Sequence, residues 1–153
     1  MLYIPQTQPN YYVSSIVALN VHSPNGTGDW HSAAALNDNA YPQDFYIYGK
    51  GQKRSTHHLL GNTGIIDGTH RFNEMGYYPE NSPVWLADHP RACVDYLYTA
   101  VLQTGLIGRV ILDDWFPNSE DKQSVYVLLN QIESQLNPQE RENLRLWKQK
   151  NPI

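Results

Sequence analysis

The clearest pattern of hydrophobic positions lies in the C-terminal third of the chain. Apolar side chains in residues 119–136 recur at spacings of three, four and seven, and form one stripe: Val125, Leu128, Leu129, Ile132 and Leu136. This period predicts an amphipathic helix. Next, Asn137 as N-cap, Pro138 in the first turn and Glu140 at the third position predict another helix. That helix should end before Pro152.

A third helix is predicted upstream of these two. Asp88 is a favourable N-cap, and Pro90 falls in the first turn, where a missing N–H has no cost. The helix should run to about Thr104 and stop at Gly105, because glycine is the preferred residue just after a helix. Its apolar face includes Cys93 together with Leu97 and Val101, so we expect the thiol to be buried.

The N-terminal half favours strands. Apolar and β-branched residues predict a central strand over Val13–Val21, buried on both faces, and shorter strands over Phe45–Tyr48 and Pro83–Ala87. Ser32 can cap a short helix over Ala33–Leu36. Residues 1–12 contain two prolines and are expected to form an extended arm.

The order of these elements predicts the fold class. Strands come mostly first and helices mostly last, which favours an α+β fold over alternating α/β units. We therefore expect a small mixed sheet from the N-terminal half, packed with three to four helices mainly from the C-terminal half. The length of 153 residues fits one domain that spans residues 1–153.

Composition narrows the class of protein. The chain is 41% hydrophobic and 12% aromatic, which is typical of a folded domain. Its net charge of -4 argues against a protein built mainly to coat nucleic acid.

The same composition predicts the compartment. The one cysteine, Cys93, cannot form an internal disulfide, and the N-terminus does not resemble a signal peptide. No apolar run approaches the roughly 20 residues that cross a bilayer. These features predict a cytoplasmic protein without a membrane segment.

The loop between His22 and His31 is the main candidate for a chemical site. It follows a predicted buried strand and leads into a helix N-terminus, which favours a small anionic ligand. Histidines can move protons near neutral pH, and a carboxylate can orient them. The candidate catalytic residues are His22, Asp29 and His31, and the candidate ligand-binding residues are Asn25, Gly26, Gly28 and Ser32. The alternative is a plain hairpin closed by Asn25-Gly26.

The histidines and the basic residues bear on two further kinds of site, for a metal and for nucleic acid. The six histidines have no zinc-site spacing, so no metal and no cofactor are predicted. Lys50, Lys53 and Arg54 form a basic segment that follows Tyr46 and Tyr48, and these three cations are candidate contacts to nucleic acid. A solvated hairpin tip explains the same charges.

Residues 83–98, PVWLADHPRACVDYLY, form a pattern with a known counterpart. They resemble the segment of AbiE-type abortive-infection antitoxins in which a short strand leads into a helix with Arg, Ala, Asp and Leu. The matching positions are Ala87, Asp88, Arg91, Ala92, Asp95 and Leu97. The winged-helix DNA-binding domain of that family is not recognisable here. An Arg–Asp pair four residues apart is also a common way to stabilise a helix.

Two hypotheses on function follow. The first is a non-enzymatic partner protein, the antitoxin or accessory component of a toxin–antitoxin or phage-defence module, as the resemblance implies. The second is a small enzyme that acts on a phosphate ester or a nucleotide, with its site at the His22–His31 loop.

Overall fold

The computed structural model describes residues 1–24 and 32–153 and has the α+β architecture that the element order predicts. Four short strands form one mixed sheet in the order β2-β1-β4-β3. The β1/β2 and β3/β4 pairs are antiparallel, and β1 and β4 are parallel. The strands are β1 Tyr11–Val13, β2 Ile47–Gly49, β3 Ile65–Asp67 and β4 Trp85–Ala87.

Helices account for most of the remaining structure, and the two longest lie in the C-terminal third. In the described ranges the α-helices are α1 Ser15–Leu19, α2 His57–Leu60, α3 Thr69–Glu74, α4 His89–Leu97, α5 Leu112–Trp115, α6 Ser119–Ile132 and α7 Pro138–Lys150. A π-helical segment, Tyr98–Leu102, continues α4. No helix in these ranges has both the length and the hydropathy needed to span a bilayer.

The prediction of a strand over Val13–Val21 is wrong for most of this segment, which is helical. The strand ends at Val13, and α1 occupies Ser15–Leu19. The segment is apolar on both faces because α1 is itself buried, and a short buried helix has the same composition as a buried strand. Ser15 forms the corner with φ +61°, a conformation that the hydrophobic pattern does not reveal.

The N-terminal arm is shorter than predicted and is not free. Strand β1 begins at Tyr11, inside the predicted arm, and the side chains of Leu2 and Ile4 are buried in the core. The Tyr77 hydroxyl donates a hydrogen bond to the backbone carbonyl of Leu2, which fastens the arm to the segment after α3. The predicted strands Phe45–Tyr48 and Pro83–Ala87 each begin two residues before the observed strand; the first ends one residue before the end of β2, and the second ends with β4 at Ala87.

The helices predicted in the C-terminal half are present, although α6 ends at Ile132, before the predicted Leu136, and the helix that begins at His89 continues as a π-helical segment after Leu97. Asp88 accepts a hydrogen bond from the Arg91 backbone N–H (2.9 Å) at the start of α4. Asn137 and Glu140 form the reciprocal capping box of α7. The side chain of Cys93 is fully buried, and burial raises the pKa of its thiol to about 12.

A buried polar network joins α4 to the sheet. Arg91 and Asp95 have no exposed side-chain surface, and Arg91 Nε donates to Asp95 Oδ1 (3.1 Å). The Asp95 carboxylate also accepts hydrogen bonds from the hydroxyls of Tyr12, Ser14 and Thr56. The segment that resembles AbiE-type antitoxins therefore holds β1, α2 and α4 together, which is a structural role for its Arg–Asp pair.

Candidate ligand-binding cleft

A cleft of about 540 Å³ lies where α1, the turn before β2 and the end of α4 meet. Its volume falls within the range of about 300–1,000 Å³ that is usual for small-molecule sites. We call it the α1/α4 cleft, and its lining is Ser15, Ile16, Tyr41, Pro42, Phe45, Tyr48, Arg54, Tyr96, Thr99, Ala100, Thr104 and Arg109.

Aromatic rings form much of the wall of the cleft. Tyr41 and Tyr96 are half-buried, Tyr48 is buried in β2, and Phe45 remains 41% exposed. Pro42 begins the 3-10 turn Gln43–Phe45, and its fixed φ favours this tight turn, which brings Phe45 to the cleft. The cleft can therefore offer flat apolar surfaces to a ring-bearing ligand.

The two charged residues of the lining, Arg54 and Arg109, are both cations. The Arg54 guanidinium lies over the Phe45 ring, 4.3 Å from its centroid. Its Nε atom is buried and has no hydrogen-bond acceptor among the described residues. Arg109 is exposed at the end of the 3-10 turn Ile107–Arg109. In a chain with a net charge of -4, this local excess of positive charge favours an anionic ligand.

The hydroxyl groups of the cleft add no negative charge. Burial raises the pKa of Tyr48, although hydrogen bonds from Ser15 and Thr99 oppose this shift. Burial is also the main cause of the raised pKa of Tyr96. Both phenols are therefore protonated at neutral pH, and the positive charge of the arginines is not offset by phenolates.

Two irregular backbone segments border the cleft. Ser15 lies in the left-handed region, which is unfavourable for residues other than glycine. Thr99 and Ala100, which also line the cleft, belong to the π-helical segment. Such helices are rare overall, and those that occur are often at functional sites. Strained backbone of this kind also clusters at binding sites.

The basic segment predicted from sequence meets the cleft at one residue. Arg54 lines it, whereas Lys50 and Lys53 are exposed on the turn that leads from β2 to Arg54. The hypothesis of a nucleic-acid contact through these three residues stays a prediction.

The residues predicted in the His22–His31 loop do not line the α1/α4 cleft as far as they are described. His22 is exposed, and its backbone N–H faces the Met75 sulfur at 3.4 Å. The Ser32 hydroxyl accepts from the Ala34 N–H (3.2 Å), which is the predicted cap. The remaining predicted site residues lie outside the described part of the chain: Asn25, Gly26, Gly28, Asp29 and His31.

Sequence reasoning missed most of the cleft. Ser15, Tyr41, Phe45, Tyr96 and Arg109 were not singled out, and no motif joins them because they come from distant segments. The proximity of aromatic and basic residues at positions 45–54 was the one sequence feature that could have indicated this site.

In the described ranges, no three side chains of the metal-ligating types His, Cys, Asp and Glu converge to hold an ion. No family model, curated protein or solved structure matches this chain.

Proposed function

We propose that the α1/α4 cleft binds a nucleotide unit, meaning a ligand with both a phosphate group and an aromatic base. The observation that favours this function is the environment of the Arg54 side chain. Its guanidinium lies on the Phe45 ring, while its buried Nε has no acceptor among the described residues. Buried donors are nearly always paired in proteins, and no described residue accepts a hydrogen bond from this guanidinium, so its terminal N–H groups are the ones available to an external acceptor at the cleft.

Phosphate is the acceptor that suits this arrangement. Guanidinium groups bind phosphate oxygens through charge-assisted, often bidentate hydrogen bonds. Arg54 and Arg109 are both in the lining, which contains no carboxylate among the described residues. A second cation at the same cleft helps an anion to compete with its own hydration.

The aromatic residues that line the cleft favour a nucleotide base as the second part of the ligand. Phe45 is partly exposed, and Tyr41 and Tyr96 are half-buried, so each has ring surface that is not covered by the protein. Base–aromatic stacking contributes about 1–3 kcal/mol per base. A phosphate without a ring would leave this surface unused, so we expect a nucleotide to bind more tightly than inorganic phosphate.

The proposal is tested by NMR titration of the ¹⁵N-labelled protein with nucleoside 5′-monophosphates and with the matching nucleosides. We expect chemical-shift changes at the cleft residues and at least about tenfold weaker binding of the nucleosides, since a lost charge-assisted contact costs about 1.5–3 kcal/mol. Arg54→Met should weaken binding of the monophosphates to a similar degree. Lys150→Met is the matched control, because it removes one positive charge from α7, outside the cleft lining.

Three results would overturn the proposal. They are an absence of shift changes at the cleft, equal affinity for nucleosides and nucleotides, and an equal effect of the Arg54 and Lys150 variants. The last result would mean that net charge alone attracts the ligand.

A role as a protein partner is a second candidate function. It follows from the resemblance to AbiE-type antitoxins, and one surface favours it. Tyr3 and Tyr78 are 63% and 74% exposed and both line a groove of about 340 Å³, together with Met1. Exposed tyrosines are enriched at protein interfaces.

This second function is tested by co-expression with the product of the neighbouring gene, which the resemblance predicts to be a nucleotidyltransferase-like toxin. The native chain should relieve toxicity and co-purify with that product. A Tyr3→Ser/Tyr78→Ser variant should lose both effects, whereas Arg54→Met should keep them. Unrelieved toxicity with the native chain would reject the antitoxin role. We also propose the cytoplasm as the compartment, which the single cysteine favours.

A further inference from the structure

We infer that the nucleotide unit bound in the α1/α4 cleft belongs to a single-stranded nucleic acid, whose backbone continues along the turn Gly49–Arg54. This inference rests on the proposed function, since it assigns the rest of the ligand that the cleft binds. Two features support it: the cleft has aromatic walls, and a row of cations leads from Arg54 in its lining to residues outside it.

The row of cations is formed by Lys50, Lys53 and Arg54. Lys50 and Lys53 are exposed and are not in the lining of the cleft, whereas Arg54 is. Among the described residues, no carboxylate forms an ion pair with any of these three side chains, unlike Lys122, Arg145 and Lys148. Their charges are therefore not neutralised within the described structure.

The turn that presents these cations is held to the sheet. The Lys50 backbone N–H donates to the Asn10 carbonyl (2.7 Å), and the Gln52 N–H donates to the Gly49 carbonyl (3.1 Å). Gly49 has φ +127°, and a Cβ there would lie 2.1 Å from the Asn10 oxygen. Only glycine permits this close approach, so the path of the backbone at the start of the turn is fixed.

A mononucleotide cannot use all of these cations. Arg54 and Arg109 at the cleft can already neutralise one phosphate, which leaves Lys50 and Lys53 outside it without a role. In a strand, consecutive phosphates follow one another along the chain, so neighbouring phosphates can reach the lysines while one base occupies the cleft. Cationic grooves beside aromatic platforms are the usual arrangement in proteins that bind single strands.

A duplex does not fit this arrangement. Its bases are stacked and paired, and a base would have to leave the helix to contact Phe45, at a cost of a few kcal/mol. A single strand presents its bases without that cost. The cleft therefore selects single strands over duplexes.

The test compares thymidine 5′-monophosphate with 5′-phosphorylated oligothymidylates of two, three, four and six residues, which do not form duplexes. We expect affinity to rise about tenfold or more from the mononucleotide to the trinucleotide and then to level off. The two added phosphate contacts should make the salt dependence of log K steeper by about 1.4. An oligothymidylate long enough to match a hairpin duplex in phosphate count should bind more tightly than that duplex.

The variants separate this inference from the proposed function. Lys50→Met/Lys53→Met should return the affinity for the trinucleotide toward that of the mononucleotide, and should leave binding of the mononucleotide unchanged. Arg54→Met should weaken both ligands. The control is Arg145→Met/Lys150→Met, which removes two positive charges from the exposed side of α7.

The outcomes distinguish between the proposed nucleotide binding and the inferred binding of a single strand. Equal affinity for the mononucleotide and the longer strands overturns the inference and leaves the proposed function intact. An equal effect of the two double variants also overturns the inference, because it indicates attraction by net charge. If no nucleotide of any length perturbs the cleft, the proposed function fails and the inference fails with it.

Discussion

The guanidinium groups of Arg91 and Arg54 lie in two different regions: Arg91 is in the buried core, and Arg54 is at the α1/α4 cleft. All five N–H groups of Arg91 donate hydrogen bonds within the core: to Asp95, to the carbonyls of Gly61 and Thr63, and to the hydroxyls of Tyr12 and Thr56. Arg54 has an aromatic ring beside it and a buried Nε without an acceptor among the described residues.

The difference shows how to tell a structural cation from a candidate ligand contact. A buried charge whose donors are all paired is satisfied by the fold, and it needs nothing from outside. A charge at a cleft with an unpaired donor has lost water without gaining a protein partner. The two neighbours Ser14 and Ser15 also lie in different regions, since Ser14 donates to Asp95 (2.6 Å) in the core and Ser15 lines the cleft, where its side chain hydrogen-bonds to Tyr48.

The largest expected effect is that of Arg91→Met. It leaves the Asp95 carboxylate buried without its charge partner, which should lower the free energy of unfolding by about 3–5 kcal/mol. Urea denaturation followed by circular dichroism measures this loss. Arg145→Met is the matched control, because Arg145 forms an exposed ion pair with Glu142 on α7, and this variant should unfold at the native midpoint. A loss of less than about 1 kcal/mol in Arg91→Met would mean that the buried polar network contributes little to the stability of the fold.

A smaller effect is expected at Ser15, where the two regions meet. Ser15→Gly and Ser15→Ala both lose the hydroxyl, but only alanine keeps the strain of φ +61°. The glycine variant should therefore be the more stable of the two by about 1 kcal/mol. Denaturant midpoints of the pair measure this difference directly. Equal stability, or a more stable alanine variant, would show that the backbone at Ser15 is not strained.

Sequence alone was sufficient for the regions where local chemistry decides the structure. The stripe from Val125 to Leu136 predicted α6, and the Asn137–Glu140 capping box predicted α7, because periodicity and capping act within a few residues. The burial of Cys93 followed from the same periodicity on α4.

Sequence was insufficient where tertiary contacts decide the structure. Strands of three residues are too short to show an alternating pattern, and β3 was not predicted at all. The corner at Ser15 depends on a contact with the residue that precedes β2, since the Ser14 N–H donates to the Tyr46 carbonyl (2.8 Å). The cleft is assembled from segments as far apart as Ser15 and Arg109, so no spacing along the chain indicates it.

The smallest expected effect on stability is that of Arg54→Met, the same substitution at the other arginine. Methionine keeps an apolar side chain beside the Phe45 ring and removes the buried Nε that has no acceptor among the described residues. Loss of the cation–π contact costs about 0.5–1 kcal/mol at an exposed site, and removal of an unsatisfied donor offsets it. We therefore expect the free energy of unfolding to change by less than about 0.5 kcal/mol, measured in the same urea series as Arg91→Met. A loss comparable to that of Arg91→Met would mean that Arg54 stabilises the fold, and the contrast between the two arginines would then no longer identify the cleft as a ligand site.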